Sequence, residues 1–97
     1  MNFGQALEYL KDGRKVARKG WNGKGMFIYL VTGTRVKFEE LRNEAATQLS
    51  EGNKENNMGK RVTINSHIDM KAADGSIVVG WLASQTDMLS EDWEVLR

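Results

Sequence analysis

From Val62 onward the chain alternates. Val62, Ile64, Ser66, Ile68 and Met70 fall on one side of an extended backbone, and Thr63, Asn65, His67 and Asp69 on the other. This two-residue repeat is the signature of a half-buried strand. The run leads into "ADGS" (73–76), and an Asp-Gly pair between apolar stretches is the strongest short signal for a hairpin. "IVVGWL" (77–82) then brings the chain back. A tight hairpin forces its strands antiparallel, which sets the expected sheet type.

The remaining elements fit round such a sheet. Phe3, Ala6, Leu7 and Leu10 recur at helical spacing, with Asn2 and Gln5 placed as a capping box and Gly13 as a left-handed stop. "KVARK" (15–19) reads as a short strand and "MFIYLV" (26–31) as another. The second is apolar on both faces: Met26, Ile28 and Leu30 on one, Phe27, Tyr29 and Val31 on the other. Such a strand lies between layers or against a second subunit. A three-layer core is hard to fill with 97 residues, which points to the subunit. A second helix is expected over 37–49, with Phe38, Leu41, Ala45 and Leu49 along one side. "SEGNKENNMGK" (50–60) reads as a mobile loop, "ASQTDMLSED" (83–92) as a turn or single helical turn, and "WEVL" (93–96) as a last strand. The expected architecture is one α+β domain over residues 1–97, an antiparallel sheet with one or two helices.

Charge and composition exclude several functions. Fourteen basic and thirteen acidic residues leave a net charge of +1, which gives no general attraction to a nucleic-acid polymer or a membrane. The charges are unevenly placed: residues 11–24 carry a local excess of +5, and residues 84–97 a local −3. A basic cluster suits phosphates, although lysines on strand edges also discourage unwanted pairing. With no cysteine there is no disulfide, thiolate nucleophile or zinc–thiolate site. The N-terminus has no basic segment followed by an apolar core, and no apolar run is long enough to span a bilayer, so a cytoplasmic protein is expected.

Signals for catalysis are weak. His67 and Asp69 share a strand face and could form an acid–base pair, but two polar residues on the wet side of a strand account for them equally well. No phosphate-loop or dinucleotide fingerprint is present, and one histidine with scattered carboxylates is a poor metal set, so no cofactor and no metal are expected. Signals for binding are stronger. Trp21 and Trp81 stand at element ends, where a purine can stack on an indole for roughly 1–3 kcal/mol. Arg18, Lys19 and Lys24 bracket Trp21 and can meet phosphates. Ser84, Gln85, Thr86 and Asp87 are four consecutive polar groups able to bond base edges or ribose hydroxyls. The bland alternatives are that both tryptophans are core and that Ser84 to Asp87 cap a turn. For Trp93, on a short strand between Asp92 and Glu94, the core reading is preferred. Trp21 itself, set among glycines, is expected to make few core contacts.

Two blocks, "FGQALEYLKDGRKVARKGWNGKGMFIYL" (3–30) and "HIDMKAADGSIVVGWLASQTDMLSEDWEVL" (67–96), resemble the signature blocks of the Thoeris anti-defence type 2 family of small phage and prophage proteins. "GWNGKGM", "HIDMK" and "WLASQTDMLSEDW" are the most specific stretches. Relatives often carry proline before the tryptophan of "WLASQTD", where this chain has Gly80. The resemblance implies a homotetramer with nucleotide pockets between protomers, in the cytoplasm of the bacterial host. It implies a non-enzymatic sponge that sequesters glycocyclic ADP-ribose, the cyclic nucleotide signal made by TIR-domain proteins, and in some members cyclic dinucleotides. The positions it places near ligand are Trp21 and Asn22 of one block, and Trp81 with Ser84, Gln85, Thr86 and Asp87 of the other; the residue reading adds Arg18 and Lys24. Two other functions compete: a cyclic-nucleotide hydrolase using His67 and Asp69, and a protein-binding inhibitor of a bacterial defence protein.

Overall fold

A computed structural model describes residues 1–49 and 59–97. The chain divides into two units: Met1–Val31 with His67–Arg97, and Thr32–Ser66. In the first, helix α1 (Phe3–Lys11) opens on Asn2, whose side chain accepts the Gln5 N–H while the Gln5 side chain accepts the Asn2 N–H. This reciprocal pair satisfies two of the donors that a helix start leaves orphaned. The chain leaves the helix through Gly13 at φ +84°, as its sequence position predicts.

Strands β1 (Lys15–Arg18), β2 (Phe27–Val31), β5 (His67–Lys71), β6 (Ile77–Val78) and β7 (Trp93–Leu96) form a sheet in the order β6-β5-β2-β1-β7. Every pairing in it is antiparallel. Val16 sits opposite both Ile28 and Val95, and Ile28 opposite Met70, so one apolar row crosses the sheet. Ala6 and Leu10 of α1 pack on this row, with Trp93 completing the buried cluster. Leu10, Val16 and Ile28 are fully buried, each stabilising the fold by about 1.5–3 kcal/mol relative to exposure. The other face of β2 presents Phe27 and Tyr29, which remain half-buried.

In the second unit, β3 (Thr34–Lys37) and β4 (Arg61–Ile64) form a two-stranded antiparallel ribbon, Thr34 opposite Ile64 and Lys37 opposite Arg61. A 3₁₀ turn (Phe38–Glu40) and helix α2 (Asn43–Leu49) follow β3. Together with α3 (Gln85–Leu89) of the first unit, these elements make an α+β protein with antiparallel sheets and three short α-helices among the described residues.

Four expectations are corrected. The helix over 37–49 is interrupted: Leu41 is extended (ψ 147°) and Asn43 takes φ +55°, so Phe38 and Leu49 do not share one stripe. Strand β3 was not anticipated, because the period in "TRVK" is carried by Thr34 and Val36 alone. The alternating run from 62 is two strands in different sheets, divided at Asn65 and Ser66. The returning strand ends at Val78, because Gly80 at φ +79° turns the chain. The loop expected at 50–60 lies, for residues 50–58, outside the described residues. No helix among the described residues is long and apolar enough to cross a membrane.

Candidate functional site

Strand β1 ends at Arg18, directly opposite Trp93 on β7. That register brings Asp92, one residue before Trp93, beside the Arg18 guanidinium. Arg18 Nε donates to Asp92 Oδ1 at 2.8 Å and Arg18 Nη1 to Asp87 Oδ1 at 2.8 Å. The side chains of Arg18 and Asp87 are only 14% and 13% exposed. Charge-assisted bonds in such shielded surroundings are stronger than those of a solvated pair. Asp92 also fixes the turn that follows: its Oδ2 accepts the Gly20 N–H at 2.8 Å, and its carbonyl accepts the Lys19 N–H. A Cβ on residue 20 would lie 2.7 Å from that carboxylate oxygen, so the approach requires glycine.

The turn delivers Trp21 into an aromatic cluster. Its ring meets Trp93 edge-on at 5.3 Å between centroids and Trp81 at 6.2 Å, while Phe3 packs on Trp93 at 5.2 Å. Trp21 Nε1 donates to Asp87 Oδ1 (3.1 Å), and Trp93 Nε1 to the Asp87 carbonyl (2.9 Å). Asp87 is thus the hub of the site. It also closes a capping box at the start of α3, where Ser84 Oγ accepts the Asp87 N–H and the Asp87 carboxylate accepts the Ser84 N–H. Burial pushes the Asp87 carboxyl upward, but the bonds from Arg18, Trp21 and Ser84 outweigh it and hold the group below the usual carboxylate range. Asp92 is lowered chiefly by its bond to Arg18, and Arg18 is raised by its bonds to both carboxylates.

A family model described as the Thoeris anti-defense 2-like domain, Tad2-like, matches residues 1–96. A protein of Bacillus phage SP01 named Thoeris anti-defense 2 is 38% identical over 96 residues, spanning 99% of this chain and 94% of that protein. The chain belongs to the Tad2-like family. Membership assigns it a phage anti-defence role, and the match runs through residues 32–66, which the two signature blocks leave out.

In this Tad2-like chain Arg18, Trp21, Trp81 and Asp87 come together, with Ser84 attached through its cap. Asn22, Lys24, Gln85 and Thr86 are exposed. Two expectations change. Arg18, proposed as a phosphate cation, spends its guanidinium on two carboxylates, because strand pairing places them there. Trp21 is no isolated ring: it is half-buried among aromatic neighbours, since the glycines around it let the backbone fold close rather than keep it apart. Trp93, 2% exposed, is core as expected. Asp92 was missed. The signal lay in the opposed local charges of residues 11–24 and 84–97, which become neighbours once β1 is paired with β7.

His67 Nε2 lies 3.5 Å from Asp69 Oδ1, so the two do share a face. That face is not wet at Asp69, which is 6% exposed and accepts the Gly80 N–H at 3.0 Å. Proline at position 80 could not supply this donor. Ile68 and Met70 point to the core, so the His67–Asp69 pair occupies the opposite side of the sheet from the tryptophans.

Proposed function

We propose that this Tad2-like protein is a sponge: it captures a cyclic nucleotide immune signal, glycocyclic ADP-ribose, and holds it without cleaving it. The observation that supports this is the Trp21–Trp81 pair, two half-buried indoles 6.2 Å apart whose surroundings are already tied down by Asp87. A preorganised aromatic site holds a flat base with little ordering cost on binding. The exposed side chains of Asn22, Lys24, Gln85 and Thr86, on the segments that carry these rings and Asp87, supply polar groups and one cation for ribose and phosphate. Arg18 acts from behind, holding Asp87 rather than touching ligand. Cyclic dinucleotides offer the same flat bases and phosphates and are a second class of ligand to try. The protein is read as one nucleotide-binding domain working in the host cytoplasm.

Incubation with glycocyclic ADP-ribose followed by heat denaturation tests the sponge directly. The expected result is return of the intact ligand in an amount matching the protein sites. A linear product would mean hydrolysis and turn attention to His67 and Asp69. The third reading, a protein-binding inhibitor, predicts no ligand uptake at all.

A homotetramer is part of the same proposal. Val79, Leu82, Met88 and Leu89 are 72%, 89%, 46% and 80% exposed, a concentration of apolar surface on either side of Trp81 and along α3. Surface of this kind is characteristic of protein–protein contacts. It is a better seam than the outer face of β2, which is crowded with cations. Light scattering at micromolar concentration should give four times the single-chain mass. Leu82→Glu together with Leu89→Glu should dissociate the assembly, and a parent protein that runs as a monomer would remove the basis for pockets between protomers.

A further inference from the structure

The outer face of the five-stranded sheet holds a feature that the anti-defence reading leaves unused. Phe27 and Tyr29 of β2, Ile77 of β6 and Leu96 of β7 form the apolar lining of a shallow concavity of about 550 Å³. Four cations line it as well: Arg14, Lys15, Lys71 and Arg97. Lys15 Nζ stands 4.8 Å and Lys71 Nζ 5.5 Å from the centre of the Phe27 ring, and the Phe27 and Tyr29 rings lie 6.0 Å apart. Lys71 is steadied by a bond to the Gly25 carbonyl. Glu94 and the buried Asp69 lie on the same sheet face but outside this lining. Four positive groups converge on two aromatic rings with no acidic residue between them.

We propose that this concavity is a ligand site, separate from the tryptophan cluster, for a small phosphate ester with one flat ring system, of the mononucleotide class. The ring lies against Phe27 and Tyr29, and the phosphate takes the charge-assisted bonds of the lysines and arginines. The volume falls in the range of small-molecule sites. A second copy of the chain is a poor occupant, because a twofold contact here would set the four cations of one copy against those of the other.

Calorimetry with adenosine 5′-monophosphate as probe, beside adenosine and inorganic phosphate, tests the proposal. The monophosphate should bind at least tenfold more tightly than either part alone and weaken as ionic strength rises. The double variant Lys15→Gln/Lys71→Gln should lose at least tenfold in affinity. Arg14→Gln/Arg97→Gln, at two exposed positions, should do the same and provides a second reading if the lysine variant folds poorly; circular dichroism and melting establish the fold of each. Unchanged binding in a folded double variant places the ligand elsewhere and overturns the site. Phosphate binding as tightly as the monophosphate overturns the ligand class. Self-association abolished by Phe27→Glu, with no uptake of the monophosphate by the parent, means that a second copy covers this face and overturns the proposal.

Discussion

Trp21→Ala is expected to lower the melting temperature and the affinity for glycocyclic ADP-ribose together. Truncating a fully buried tryptophan costs about 3–5 kcal/mol, and Trp21 is half-buried, so about 2–3 kcal/mol of stability should go. Its edge-on contacts with Trp93 and Trp81 are part of that figure. For a chain this size the loss amounts to a drop of about 10–20 °C in melting temperature. If the ring also stacks on a base, binding should weaken about 5- to 150-fold, the equivalent of roughly 1–3 kcal/mol. Trp21→Phe separates the two contributions. It keeps an aromatic face for stacking but removes the N–H that reaches Asp87, so stability should fall by about 1 kcal/mol while much of the affinity survives. Melting without ligand and calorimetry well below the transition give both readings. Parent-level affinity in a folded but destabilised Trp21→Ala would make this ring scaffold rather than binding surface.

How far the sequence reveals this arrangement depends on how local each cause is. The capping box of Asn2 and Gln5, the stop at Gly13 and the Asp-Gly turn act over three or four residues, and all are legible. Strands β1, β2, β5 and β7 are legible because half-buried strands must alternate or, in β2, stay apolar. The break at Asn65 and Ser66 is not legible, since the alternation runs unbroken through it and only pairing with a different partner divides it. The helix over 37–49 fails for a related reason: apolar spacing persists, but the backbone at Leu41 and Asn43 departs from helical geometry. In the candidate site, residue types could be picked out but not their connections. Arg18 and Asp87 are 69 positions apart, and Arg18 and Asp92 are 74, so their bonds exist only through the β1–β7 register. A cation near a tryptophan suggests phosphate when read alone; beside two carboxylates it becomes a brace. The same logic buried Asp69, whose partner Gly80 sits beyond the hairpin.

The brace sets the last expected result. Asp87→Ala should be among the most damaging single changes outside the core. It removes the acceptor of Arg18 Nη1 and of Trp21 Nε1, and with them one half of the α3 capping box. Breaking a fully buried ion pair costs about 3–5 kcal/mol and a solvated one about 0–1. At 13–14% side-chain exposure, with Asp92 left to compensate Arg18 in part, a loss of about 2–4 kcal/mol is expected. Asp87→Asn keeps an oxygen acceptor but not the charge, and should cost less. Acid separates the variants further. The folded-state values of Asp87 and Asp92 lie below their unfolded ones, so their contribution is fully present above about pH 4 and disappears as pH falls through the folded values. Melting temperatures of the parent protein should therefore decline steeply below about pH 4. Asp87→Asn, which has no proton to take up at this position, should start lower at neutral pH and decline less. Parallel curves for the two proteins would mean that Asp87 carries no charge-dependent share of stability, and that Arg18 is held by Asp92 alone.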